Sequence, residues 1–150
     1  MVIFLVLSTN PDSFLFFDET KKLATLPLGA FCFVNTSNRG EIGKHWLSII
    51  RVPLGYEILD SSGCGLEIAK KLKLKGKISC NSDVLQSHES EICAHLAMLY
   101  TVHRLYCFDE PMEEVLNEIL TSDPKTNEEI AEIFISTRSL DTLSDVAAEN

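Results

Sequence analysis

The segment from His45 to Asp60 constrains the fold more than any other. His45-Trp46-Leu47-Ser48-Ile49-Ile50-Arg51-Val52 is rich in β-branched and aromatic residues, Pro53-Leu54-Gly55 is a turn, and Tyr56-Glu57-Ile58-Leu59-Asp60 is a second run of the first kind. That pattern specifies two antiparallel strands joined by a tight turn. A hairpin sets the start of its first strand beside the end of its second. An imidazole at 45 and a carboxylate at 60 are therefore expected side by side at one edge of a sheet.

The rest of the chain supplies partners for that hairpin. Met1 to Leu7 is a short apolar run, read as a buried strand, and Asn10-Pro11-Asp12 is a turn signal. Phe14 to Phe17 is a dense apolar patch running into Asp18-Glu19-Thr20-Lys21-Lys22, which should be exposed, and Gly29 to Asn35 reads as a strand. A polar loop covers Thr36 to Lys44. Residues 66–75 suit a short helix. From Glu91 to about Tyr106, Ile92, Leu96, Leu99 and His103 recur at helical spacing, with Ser90 as the expected N-cap and Cys93 in the first turn. Pro111–Leu120 and Thr126–Ile135 read as further helices, and Ser139–Asn150 as a polar, fraying end. The expected class is α+β, a central mixed or mainly antiparallel sheet packed against the helix that carries Cys93. Residues 1–125 are taken as one domain, and 126–150 as an acidic extension, either part of that domain or a frayed tail.

Composition narrows the function. The 150 residues carry 13 Lys+Arg against 22 Asp+Glu, a formal charge of -9, which argues against a general binder of DNA or anionic membranes. The imbalance is local: 11 basic and 10 acidic residues lie in 1–106, but 2 and 12 in 107–150. The one run of like charge in the body is Lys70, Lys71, Lys73, Lys75 and Lys77. It reads first as a solvated face, with phosphate binding as the alternative. Cysteines at 32, 64, 80, 93 and 107 are odd in number and form no CxxC pair, so a reducing, intracellular setting is expected. The apolar start has no cationic flank and is too short for a span, so neither secretion nor a membrane is expected.

A thiol at a helix N-terminus is held toward its thiolate by aligned N–H dipoles. Cys93 occupies that position. A thiol nucleophile needs an imidazole as base and acid and a carboxylate to orient it, which His45 and Asp60 can provide. Gln86, seven residues before Cys93, can donate a side-chain N–H to an oxyanion beside the Cys93 backbone N–H. Singly, each of these residues is more simply read as packing or turn chemistry; the set carries the reading. Cys93, His95, His103 and Cys107 also invite a metal reading, but their spacing fits no zinc knuckle and His95 should face away from Cys93. No metal is expected, no Gly-rich phosphate loop or HExxH is present, and His88 and His95 read as surface residues.

The segment Val34-Asn35-Thr36, with Arg39, Gly43 and His45-Trp46, resembles the adenovirus endopeptidase (adenain) family of cysteine proteases. The likeness continues through Tyr56-Glu57-Ile58-Leu59-Asp60 and Gly63, where Asp60 stands for the family's Glu, and through Leu85-Gln86-Ser87 to Cys93. It adds Pro111-Met112 and, loosely, Ile3-Phe4-Leu5, so that it spans about residues 3–120. The His, Asp, Gln, Cys order is shared with the wider superfamily that includes SUMO and other ubiquitin-like-protein proteases.

The resemblance implies His45 as general base, Asp60 as its orienting carboxylate, Gln86 as oxyanion donor and Cys93 as nucleophile, with Trp46 packed beside the imidazole to exclude water. It implies a thiol endopeptidase of a DNA virus or virus-derived element that matures viral precursor and capsid proteins, cutting next to small residues such as Gly, in the host nucleus or the virion. It also implies an activating viral peptide and viral DNA as cofactors, with Cys80 as a regulatory disulfide partner and the lysine run, Lys70 to Lys77, as the DNA contact. The alternatives are a deconjugase of ubiquitin-like proteins and a non-catalytic scaffold that kept the fold. Ala94 stands where the family has Gly, Glu89 and Glu91 flank the nucleophile and should oppose its thiolate, and the chain is shorter than the family's at both ends.

Overall fold

The structure is a computed structural model, and it describes residues 14–38, 40, 45–87 and 91–149, with side chains through Ser136. The strand expected over Met1–Leu7, the turn at Asn10–Asp12, Arg39 and Gly43 of the motif, and Ser90 all lie outside the described residues.

Five strands form one mixed sheet in sequence order: β1 (Phe14–Leu15), β2 (Phe31–Asn35), β3 (Trp46–Val52), β4 (Gly55–Leu59) and β5 (Lys77–Cys80). The expected hairpin is its centre, with Ser48 opposite Leu59 and Val52 opposite Gly55. β2 pairs antiparallel with β3, whereas the outer strands β1 and β5 run parallel to their neighbours. Around the sheet lie a 3-10 helix (Phe17–Thr25) and four α-helices: α1 (Gly65–Leu72), α2 (Cys93–Tyr106), α3 (Met112–Ile119) and α4 (Pro124–Glu149). Among the described residues the class is thus α+β with a mixed sheet, as expected.

Strands covered on both faces need apolar side chains at consecutive positions. Ile49 and Ile50, and Ile58 and Leu59, meet that need by pointing to opposite faces. Ile49, Tyr56 and Ile58 pack with Leu23 of the 3-10 helix and Ala69 of α1. Ile50 and Leu59 pack with Leu96, Leu99 and Tyr100 of α2, Val115 of α3 and Ala131 of α4. Each such side chain taken fully out of water stabilises the fold by about 1.5–3 kcal/mol.

Two elements differ from the sequence expectation, and a third runs further. Phe14–Leu15 forms a two-residue strand and the charged run after it forms the 3-10 helix, held by Leu23, which is buried among apolar neighbours. Asp18, Lys21 and Lys22 of that helix are exposed as expected, whereas Glu19 and Thr20 are half-buried. Lys77–Cys80, unassigned from sequence, is an edge strand that approaches β4 closely: a Cβ at Gly55 would run into the Lys77 backbone carbonyl. The last helix does not stop at Ile135 but continues through Ser139 to Glu149. Its first turns belong to the domain, since Asn127 and Ala131 are fully buried. No helix among the described residues is long and apolar enough to cross a membrane.

Candidate active site

The hairpin delivers what its pattern dictates. His45 immediately precedes β3, Asp60 immediately follows β4, and Nε2 of His45 lies 2.6 Å from Oδ1 of Asp60. The same Oδ1 accepts from the Ser62 backbone N–H at 2.9 Å and from the Ser62 hydroxyl at 2.7 Å. Asn81, just beyond β5, locks the Asp60 main chain: its Oδ1 accepts from the Asp60 N–H at 2.9 Å and its Nδ2 donates to the Asp60 carbonyl at 2.6 Å. Asp60 is 1 % exposed, so its orientation is fixed by these bonds rather than by water.

With Nε2 engaged, Nδ1 is the ring nitrogen left for the third member. The Cys93 thiol lies close enough to the His45 side chain to be pulled toward its thiolate by it, and its sulfur lies 3.4 Å from the backbone nitrogen of Trp46. Cys93 is the first residue of α2; its N-cap is Ile92, not the expected Ser90, and no side chain caps the helix there. The first-turn N–H groups are consequently available to the sulfur, and that of Ala94 adds to the pull on the thiol proton.

Electrostatics follows from this line of three groups. Burial by itself would keep Cys93 protonated, but the His45 hydrogen bond, the Trp46 and Ala94 N–H groups and the imidazolium charge outweigh it, so the thiol lies below its ordinary pKa. Burial likewise acts against a charged His45, yet Asp60 and Cys93 carry it up to about 9. Asp60, which burial alone would raise, is held below the usual carboxylate range by His45 and Ser62. All three shifts run toward a thiolate–imidazolium pair backed by a carboxylate. Glu91, expected to oppose the thiolate, is exposed and is not among these influences, and Glu89 lies outside the described residues.

Gln86 lines a cleft of about 450 Å³ together with Thr36, His45, Asp60, Ile68 and Val84. Its Oε1 accepts a hydrogen bond from the Ser61 hydroxyl, and its backbone is tied to the Ser61 carbonyl. With the oxygen end so occupied, the Nε2 end is the donor. The C-terminal third supports this segment. Asn127 Nδ2 donates to the Leu85 carbonyl at 3.2 Å, and Glu128 Oε1 accepts from the Ser87 N–H at 2.7 Å and the Ser87 hydroxyl at 2.5 Å. Gln86 is thus pinned on both sides by α4.

The other expected residues are placed as follows. Trp46 sets its indole edge-on against Phe14 and Phe16, at 6.0 and 5.6 Å between ring centroids, and serves the thiol through its backbone N–H. Cys80 ends β5 as a free thiol, pushed up by burial, on the wall of a groove of about 780 Å³ between β5 and α3 that lies apart from the cleft. Lys70, Lys71, Lys73, Lys75 and Lys77 are all exposed. His95 is not a plain surface residue: it is half-buried, and its Nδ1 is sealed without a hydrogen-bond partner. His103 and Cys107 gather with Glu118, not with Cys93 and His95. Ser61, Ser62, Asn81, Asn127 and Glu128 were not foreseen. The first two directly follow Asp60 and read as turn formers; the others carry no local signal.

No protein-family model and no curated protein sequence matches the chain.

Proposed function

We propose that the protein is a cysteine endopeptidase with the adenain-like fold, in which Cys93 is the nucleophile, His45 the base and acid, Asp60 the orienting carboxylate and Gln86 the oxyanion donor. The observation that carries this reading is His45 held 2.6 Å from Asp60 and acting on the Cys93 thiol, with the imidazole carried up to about 9 and the thiol down. A structural cysteine in a core has no need of a charged imidazole beside it.

In the reaction Cys93 Sγ adds to the scissile carbonyl carbon. The developing oxyanion takes hydrogen bonds from Gln86 Nε2 and the Cys93 backbone N–H. His45 gives its proton to the departing amine, leaving an acyl-enzyme, and then removes a proton from the water that attacks the thioester. Asp60 holds the ring so that one nitrogen faces the sulfur throughout. On the same reading the substrates are viral precursor and capsid proteins cut beside small residues, in the host nucleus or the virion. An activating peptide would join Cys80 by a disulfide, and DNA would use the five exposed lysines.

Labelling by a thiol-directed electrophilic probe tests the proposal. Cys93 should be labelled and the signal lost in His45→Ala; no labelling of Cys93 under reducing conditions, with or without DNA, would refute it. Labelling by a ubiquitin-like probe without cleavage of a Gly-containing peptide would favour the deconjugase.

A further inference from the structure

A second cluster of reactive side chains lies at the opposite end of α2 from Cys93. His103 is in the last turn of α2 and Cys107 is its C-cap, four residues on, so the two side chains share a face. Glu118, in the last turn of α3, meets them there. Its Oε2 is 3.5 Å from His103 Nε2, and one ligand atom from each of His103, Cys107 and Glu118 lies within 4.8 Å of the others. Glu110, whose backbone N–H donates to the Cys107 carbonyl, follows directly on the cluster, and its Oε2 is shut off from solvent with no hydrogen-bond partner. A carboxylate oxygen sealed from solvent and unbonded, beside a thiol, an imidazole and a second carboxylate, is a place where a cation would be well received.

The backbone under the cluster is held in place. The Arg104 guanidinium is fixed on one side by Glu57, with both Nε and Nη2 engaged, and on the other its Nη1 donates to the carbonyls of Cys107, Phe108 and Glu110 at 2.7, 3.1 and 2.5 Å. The segment carrying Cys107 and Glu110 is anchored to the buried core of the sheet. The thiol chemistry uses none of these four residues; ten residues of helix, about 15 Å, separate His103 from Cys93.

We propose that His103, Cys107 and Glu118, completed by Glu110, bind one zinc ion that clamps the C-terminal ends of α2 and α3 together. An imidazole, a thiolate and two carboxylates suit zinc, whereas magnesium and calcium prefer oxygen alone. Bonds of about 2.0–2.3 Å in a tetrahedron put ligand atoms roughly 3.3–3.8 Å apart. The donors need to close by about 1 Å, within the reach of side-chain rotation. Metal binding displaces the Cys107 thiol proton to solvent and offsets part of the negative charge concentrated after residue 107.

The test uses the full chain carrying Cys93→Ala, so that zinc cannot be held by the Cys93–His45 pair. Zinc is titrated against a chromophoric chelator, and cobalt(II) reports the ligands through its thiolate charge-transfer band. One ion per chain is expected, with a cobalt–thiolate band. Cys107→Ser should abolish the band, and Cys107→Ser or His103→Ala should weaken zinc by at least about tenfold, while Cys64→Ser and Cys80→Ser change neither. Circular dichroism of each variant separates loss of a ligand from loss of fold. Absence of a band, zinc affinity unchanged by Cys107→Ser, or a band that disappears with Cys64 or Cys80 would overturn the proposal.

Discussion

Replacing Asp60 by Asn isolates what one negative charge does for the thiol. The side chain keeps its shape, and its oxygen can still accept from His45 and Ser62 while Asn81 holds the backbone. Only the charge behind the imidazolium is lost. Opposite charges about 4 Å apart attract by about 4 kcal/mol at an effective dielectric near 20, which would be worth roughly 3 pK units. The His45 side chain is 18 % exposed and Cys93 also supports its charge, so a smaller fall of about 1–2 units from the value near 9 is expected. The proton shared between His45 and Cys93 then moves toward sulfur, and the ratio of ion pair to neutral pair drops about 10- to 100-fold. The assay is the rate of Cys93 alkylation by iodoacetamide, read by mass spectrometry across pH. An unperturbed thiol is only about 0.3 % thiolate near pH 6, so the wild type should react there far faster than a denatured control. Asp60→Asn should be slower by about 10- to 100-fold near pH 6 and converge with the wild type at alkaline pH. Equal rates near pH 6 would refute the argument that Asp60 sustains the pair.

Three further outcomes follow from named contacts. Gln86→Ala should lower kcat on a cleavable peptide by about 10²–10³ with KM little changed, because Gln86 is assigned to the oxyanion; a loss confined to KM would assign it to substrate binding instead. Arg104→Met leaves the Glu57 carboxylate, 5 % exposed, without its partner and should cost about 3–5 kcal/mol in urea unfolding; a cost under about 1 kcal/mol would place the pair among those that contribute nothing net. The pH dependence of stability separates the catalytic groups. The raised His45 contributes fully below about 6.5 and fades as pH climbs through about 9, whereas the depressed Cys93 contributes fully above its ordinary value and fades as pH falls. Where both groups contribute, the two slopes oppose, so the wild-type melting temperature should fall less steeply with pH than that of Cys93→Ala, in which Asp60 alone raises His45; a flat profile in the variant would refute the rise that Asp60 gives His45.

The legible part of this protein is the part built by short-range rules. A hairpin fixes its own register, so His45 and Asp60 could be placed together from two β-branched, aromatic runs and a Pro-Leu-Gly turn, and Nε2 and Oδ1 do meet at 2.6 Å. Helical spacing placed Cys93 at a helix start, although the start lies two residues later than the periodicity from Glu91 indicates. β5 escaped because Lys77-Ile78-Ser79-Cys80 is only half-buried and carries little β-branched character. Its strand conformation comes from parallel pairing with β4, a contact across the α1 connection that no local pattern encodes. The supports of Gln86 escaped for the same reason. Glu128 is one acid among many in an acidic segment, and only the fold brings it to Ser87, 41 residues earlier.

That placement alters what the acidic third can be. A charge surplus after residue 107 invites a shielding role, in which deletion of 126–150 would strengthen DNA binding by uncovering the lysines. Such a deletion would also remove Asn127 and Glu128, and with them the bonds to the Leu85 carbonyl and to Ser87 that flank Gln86. It would strip Ala131 from the core around Leu96 and Val115 as well. A truncated chain would therefore lose the support of Gln86 and part of its core at once, and a change in DNA affinity would report on a damaged domain. Neutralising exposed acids such as Glu129 and Glu132 leaves Asn127, Glu128 and Ala131 in place. Charge and architecture are separable in this helix only at the level of single side chains, because its first turns act as a strut for the cleft at Gln86 while its outer face carries the negative charge.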